Sequence, residues 1–325
     1  MEKQIKSRID AATKIAIIQA DNPDGDSLSS SLALEHILGD LGKDVVLYCG
    51  VDMPGYLRYM KGWDRVVSEL PTNFDLSIIV DTASLGLLET LQKTSKLSWI
   101  TSKPCVVIDH HQTTSTIEFT KDQYIKPGIS TTEVIYDLCK ELDLPINKEA
   151  AGFISIGILS DSLGLTTETT TAHSISVLAE MVRAGANLSE IDNERKKLQK
   201  KSPGILAYKG KLLQRVEYVL DGKLALITIP WEEIEKYSHE YNPSMLVLDE
   251  MRQVQGVQAT VAFKLYPDGR ITGKVRTNYG IKIAGALAEK FGGGGHVYAS
   301  GFRVTDGRTY KTVKSELIKE AGELL

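Results

Sequence analysis

Four acidic clusters in this sequence sit where apolar segments end. Ile15–Gln19 runs into Asp21-Asn22-Pro23-Asp24-Gly25-Asp26, Leu76–Val80 into Asp81, and Val106–Ile108 into Asp109-His110-His111. Ser160-Asp161-Ser162 closes an apolar helical segment. Ionised carboxylates joined by one or two imidazoles suit a divalent cation such as Mn²⁺, whereas structural Zn²⁺ sites more often use thiolates. Several carboxylates facing one cavity repel one another unless a cation neutralises them. Two such ions about 3.5–4 Å apart can bridge an attacking oxygen and stabilise the leaving oxygen of a phosphate ester. Each piece alone has an ordinary explanation: Asn22-Pro23-Asp24-Gly25 is a good turn, and an Asp at a strand end serves equally well as a helix N-cap. The His-His pair behind an apolar strand has no such explanation, and the combination favours a metal centre.

To gather these residues the chain needs a sheet whose strands all end on one side. The first half alternates short apolar runs with helical patterns, the signature of a mostly parallel sheet. Strands are expected over 15–19, 45–49, 76–80 and 106–108, and helices over 27–41, 131–142, 150–159 and 172–184. In such α/β sheets ligands bind beyond the carboxyl ends of the strands, so the first three clusters should converge there. Asp161 reaches the same place only if the fold brings its helix alongside. A charged helical stretch from Leu188 to Gln199, followed by Ser202-Pro203-Gly204 read as a turn, marks the change of domain. Beyond it, Asp221-Gly222 and Asp268-Gly269 separate β-rich segments and signal hairpins. Ile281–Phe291 reads as a helix stopping at the glycine run 292–295. The fold class expected is α/β: a mostly parallel sheet flanked by helices in the N-terminal domain, plus a smaller α/β C-terminal domain with a mixed sheet. The division expected is a metal-binding domain over 1–190, a linker helix and turn over 191–210, and a substrate-binding domain over 211–325.

Composition sets limits. The chain has 325 residues, 42% hydrophobic and 25% charged, which favours two domains over one core. No apolar run reaches the roughly 18 residues of a membrane helix. The first residues, MEKQIKSRIDAATK, lack the apolar core of a signal peptide, so a cytoplasmic protein without membrane partners is expected. Three scattered cysteines (Cys49, Cys105, Cys139) fit neither a disulfide framework nor a CxxC metal site. A net charge of −4 argues against stable coating of long DNA, but leaves room for a short nucleotide in a locally positive pocket.

In the order and type of these clusters the sequence resembles the DHH phosphoesterase superfamily, named for the triplet seen here as Asp109-His110-His111. The likeness takes in Asp24 and Asp26, the lone Asp81, the triplet and Asp161. It extends to a carboxyl-terminal, DHH-associated domain with the glycine-rich signature Phe291-Gly292-Gly293-Gly294-Gly295-His296. Size and two-domain layout are similar to the nanoRNase/pAp-phosphatase branch. The resemblance implies two Mn²⁺ ions, with Mg²⁺ as a substitute. Asp81 would bridge them, Asp26, His110 and Asp161 would complete one, and Asp24 would serve the other. It further implies that His111 contacts the scissile phosphate and that Arg276, Gly293, Gly294, Gly295 and His296 hold the nucleotide across an interdomain cleft. Glycines let main-chain N–H groups approach a phosphate closely, and an arginine can pair with it bidentately.

One departure stands out. The family pattern places a ligand histidine three residues before Pro23, and this chain has Ala20 there. A methyl group cannot coordinate, so the first ion should be held more weakly, unless Asp21 or Asn22 supplies an oxygen. The expected activity is hydrolysis of short RNA, linear dinucleotides such as pApA, or pAp, to mononucleotides. Cyclic dinucleotide hydrolysis is the competitor within the same chemistry, and a weakly active or inactive nucleotide-binding protein is the competitor outside it. No segment is long enough to supply the extra OB-fold of the larger DNA exonuclease relatives. A homodimer through the first domain is compatible with this layout. Ser130-Thr131-Thr132 reads as a helix start that caps itself or meets a phosphate. Arg252 reads as a surface residue, and His36, His173 and His239 as structural.

Overall fold

The computed structural model describes residues 1–111, 114–198 and 200–325; Gln199, the last residue of the expected connecting helix, lies outside them. The chain divides into two compact units, Met1–Lys200 and Lys201–Leu325. No described helix is long and apolar enough to cross a membrane.

The first unit runs α1 (Glu2–Ala11), β1 (Lys14–Ile18), α2 (Gly25–Asp40), β2 (Asp44–Tyr48), β3 (Leu76–Val80), α3 (Glu89–Lys93), α4 (Leu97–Thr101), β4 (Cys105–Asp109) and β5 (Asp122–Ile125). Four longer helices follow: α5 (Thr131–Leu142), α6 (Lys148–Asp161), α7 (Ala172–Arg183) and α8 (Leu188–Leu198). Among the described residues the strands form a five-stranded sheet in the order β2-β1-β3-β4-β5, every neighbour parallel. Strand alternation sorts the apolar side chains by face. Ile15, Ile17, Ile78, Val80 and Ile108 pack with α2, α5 and α6, while Ala16, Ile18, Ile79 and Val107 face the layer of α3 and α4. A sheet covered on both sides explains why these strands read as unbroken apolar runs. Each buried Ile or Val contributes about 1.5–3 kcal/mol.

Strand order reverses around β1, and the loops after β1, β3 and β4 therefore open at one edge, where such sheets bind ligands. Helix α6 reaches this edge because it packs closely along α2. A methyl on Gly25 would meet Ser160 Oγ at 2.1 Å, and one on Gly157 would meet Thr132 Oγ1 at 2.2 Å and Asp26 Oδ1 at 2.5 Å. The two glycines let α2, α5 and α6 meet without side chains between them, which carries the carboxyl end of α6, and Asp161 with it, to the strand ends.

The second unit comprises α9 (Pro203–Leu213), β6 (Glu217–Val219), β7 (Leu224–Ile229), α10 (Trp231–Tyr237), α11 (Leu248–Arg252), β8 (Ala259–Leu265), β9 (Ile271–Thr277), α12 (Ala284–Glu289), β10 (Gly294–Gly295), β11 (Ala299–Val304) and α13 (Tyr310–Leu324). Its sheet, in the order β10-β11-β9-β8-β7-β6, is mixed: β7 and β8 are parallel and the other neighbours antiparallel. One face packs on α12 and α13, and the opposite face of β7 and β8 on α9, α10 and α11.

One local expectation is corrected here. Ser202-Pro203-Gly204 is not a turn but a helix start: the Ser202 side chain accepts from the Ile205 N–H, and Pro203 takes the first helical position. Residues 203–210, expected in the linker, thus begin α9, which buries Ile205, Tyr208 and Leu212 in the second unit. Within the glycine run, Gly294 and Gly295 pair with Gly301 and Ser300.

Candidate metal centre

Asp24 and Asp26 enter through the start of α2. Asp24 is the N-cap, and its Oδ1 accepts from the N–H groups of Asp26 and Ser27, both at 3.0 Å. Asp24 is exposed, whereas Asp26, two residues on, is fully buried. The Asp26 carboxylate does not float free: it accepts from the first N–H groups of α5, Thr131 at 2.5 Å and Thr132 at 3.1 Å. These are the donors a helix start leaves without partners, at the positive end of its dipole. Asp26 therefore occupies the place at which the sequence allowed a phosphate to meet Ser130-Thr131-Thr132.

Asp81 leaves β3 in the left-handed region, φ 59°, uncommon for a residue with a side chain. Its Oδ1 accepts from Thr131 Oγ1 at 2.8 Å. His110 Nδ1 lies 3.1 Å from the carbonyl of Gly128, which assigns the ring proton to Nδ1 and leaves the Nε2 lone pair free. That Nε2 is buried without a hydrogen-bond partner, 3.7 Å from Asp81 Oδ1 and 3.6 Å from Asp161 Oδ2. A buried lone pair facing two carboxylates costs free energy unless something positive stands among them.

The carboxylates point to the same conclusion. Burial, then the charges of Asp26 and Asp24, holds Asp81 well above the ordinary carboxylate range. The same causes push Asp161 up to about 9, and burial raises Asp26. Asp26, His110 and Asp161 offer ligand atoms within 4.8 Å of one another, and so do Asp81, Asp109, His110 and His111. Oxygen-rich donors with one free imidazole nitrogen fit a divalent cation of the Mn²⁺ or Mg²⁺ type, and its charge removes the repulsion.

The structure thus gathers Asp26, Asp81, His110 and Asp161. Asp24 contributes charge to the cluster but belongs to neither set of converging ligand atoms; its Oδ1 caps α2. His111 is tied to Asp109: its Nδ1 lies 2.7 Å from Asp109 Oδ1, and the hydrogen bond raises its pKa. Arg276 and Gly293 to His296 lie in the second unit. Methyl groups on Gly293 and Gly295 would strike the β11 backbone, the nearest atoms being Gly301 O at 2.2 Å and Ala299 O at 2.7 Å, so both serve strand packing. At Gly294 nothing stands within 4 Å.

Asp109 is the residue that sequence reading undervalued. It is fully buried, and its Oδ1 accepts from the N–H groups of His110 and His111 as well as from the His111 ring. An Asp opening its own triplet carried that signal. Ala20 is buried, and neither neighbour is a ready replacement. Asp21 Oδ2 accepts from Thr90 N–H at 2.6 Å and its Oδ1 lies against Gly50, while Asn22 is exposed.

Residues 14–158 match the model of the DHH family N-terminal domain. Its first unit carries a DHH-family domain. A relative along most of its length is the bifunctional oligoribonuclease and PAP phosphatase NrnA of Thermus thermophilus, 28% identical over 86% of this chain and 81% of that one. A probable manganese-dependent inorganic pyrophosphatase of Streptococcus mutans is 27% identical over 55% of this chain and 58% of its own. Among solved structures, an exopolyphosphatase-related protein from Bacteroides fragilis superposes with a TM-score of 0.83 at 23% identity, covering 99% of this chain and 96% of that one.

Proposed function

We propose that this DHH protein is a divalent-metal-dependent hydrolase that converts short nucleotide phosphoesters (very short RNA, linear dinucleotides such as pApA, or pAp) to mononucleotides. The observation that carries the reading is the buried, unpartnered His110 Nε2 set between the Asp81 and Asp161 carboxylates. The NrnA likeness over both units supports the substrate class.

In this reading Asp26, Asp81, His110 and Asp161 would hold one divalent ion, and Asp81 with Asp24 would serve a second. Bound divalent ions polarise a phosphoryl oxygen and lower the pKa of water enough to make a nucleophile near neutral pH. The protein residues do the rest. Thr131 and Gly128 orient Asp81 and His110. Asp109 keeps the His111 ring protonated to higher pH, which sets a charged donor for a phosphoryl oxygen beside the cluster. Arg276 and the Gly294 region supply nucleotide contacts in the second unit.

The test is a product profile over pAp, pApA, cyclic di-AMP and RNA of two to ten nucleotides with Mn²⁺. Mononucleotide release from the linear substrates is expected; turnover confined to cyclic di-AMP, or none at all, would sink the assignment. With Ala20 in place of an imidazole, a Mn²⁺ titration should show two ions of unequal affinity, the weaker on the Asp24 side, and Ala20→His should tighten it about tenfold or more. A single ion per chain at saturating Mn²⁺ would refute the two-ion centre.

A further inference from the structure

In the second unit one sheet face carries three cations that have no ion-pair partner among the described residues. Strand register puts Lys264 of β8 with Lys274 and Arg276 of β9 on the same face, opposite the one packed on α12 and α13. Helices cover this face over β7 and β8, but beside Arg276 and Lys274 its floor is Ala299, Gly301 and Gly294, residues with little or no side chain, with exposed Arg303 beyond them opposite Thr272. The open space above Gly294 continues that floor. Among the described residues none of the three cations has a carboxylate partner. Lys264 Nζ donates to Asn242 Oδ1 at 2.7 Å, Lys274 Nζ rests on Met245 Sδ at 3.7 Å, and Arg276 donates to the carbonyl of Val275. The nearby acid, Asp249, is held by Arg252 at 2.8 Å. All three are half-buried, and burial with the charge of the next cation lowers the pKa of Lys264, to about 8, and of Lys274. Burial lowers that of Arg276.

Half-desolvated like charges over an open, small-residue floor destabilise the free protein and favour anion binding. Residues two apart on a strand lie about 6.8 Å apart, so the Lys274–Lys264 pair extends the positive row well beyond the reach of Arg276 alone. We propose that Lys264 and Lys274 form a second phosphate subsite beside Arg276, so that the protein selects nucleotides bearing two phosphates over those bearing one. This deepens the proposed function and rests on its assignment of nucleotides to the second unit.

The test is equilibrium binding of pAp and of AMP to the full chain in EDTA, comparing wild type with Lys274→Gln and Lys264→Gln. The variants should weaken pAp by tenfold or more and AMP by twofold or less. Equal losses for both ligands, no loss for either, or failure of the wild type to bind pAp at millimolar concentration would each overturn the proposal; native circular dichroism guards against misfolding. The two ideas fail separately. Turnover of pApA without this discrimination removes only the subsite, whereas selective pAp binding without turnover in Mn²⁺ removes only the hydrolase.

Discussion

Asp81→Asn should reduce kcat by on the order of a thousandfold while leaving the protein folded, and should make the metal-free form more stable than wild type. Asn accepts the left-handed backbone that Asp81 adopts, so the substitution changes charge with little change of shape. Losing the residue assigned to both ions removes several kcal/mol of electrostatic stabilisation, which sets the size of the effect on rate. The gain without metal has the same origin. Asp81 is buried beside Asp26 and Asp161, and a neutral amide ends that repulsion. Steady-state kinetics in Mn²⁺ and thermal melts in EDTA measure the two halves. Full activity in the variant would remove Asp81 from the chemistry, and a lower melting temperature in EDTA would show that its charge is not a burden.

Metal-free protein should lose stability as pH rises from about 5 to about 9, and saturating Mn²⁺ should abolish that dependence. The Asp161 carboxyl, ordinarily near 3.8, is pushed up to about 9 by burial and by its neighbours. Between those values the folded state holds a proton that the unfolded chain releases, so unfolding becomes easier with each rise in pH. Asp81 and Asp26 shift in the same direction. A bound cation competes with these protons and keeps the cluster ionised across that range, which removes the slope. Melting temperatures at pH 5, 7 and 9, with EDTA and with Mn²⁺, test this. A flat profile in EDTA would mean that the carboxylates relax apart without an ion.

The legible part of this structure is what short-range pattern controls. Helix α5 spans the expected 131–142, because Ser130 caps it and its apolar spacing is regular. The four expected strands of the first sheet lie within a residue or two of their expected ends, β5 was not anticipated, and both hairpin pairings in the second unit form around Asp-Gly turns. Illegible were features that need a partner distant in sequence. Asp161 arrives at the centre only because Gly25 and Gly157 let α6 lie close to α2, and glycines inside helical patterns announce no such thing. Asp26 reads as a ligand in a loop, yet its bonds are to α5 more than a hundred residues away. Ser202-Pro203 carried a sound helix-start signal that its turn-like Gly204 obscured.

The double use of Asp26 bears on how descendants of such a protein would decay. Its carboxylate anchors the start of α5 as well as facing the cluster, so replacing it leaves two buried amide donors stranded and unsettles the scaffold. A lineage under no selection for turnover would therefore discard exposed His111 freely but keep Asp26 for architecture. Among paralogues, retention of Asp26 tells little about whether the enzyme still works, and retention of His111 tells far more.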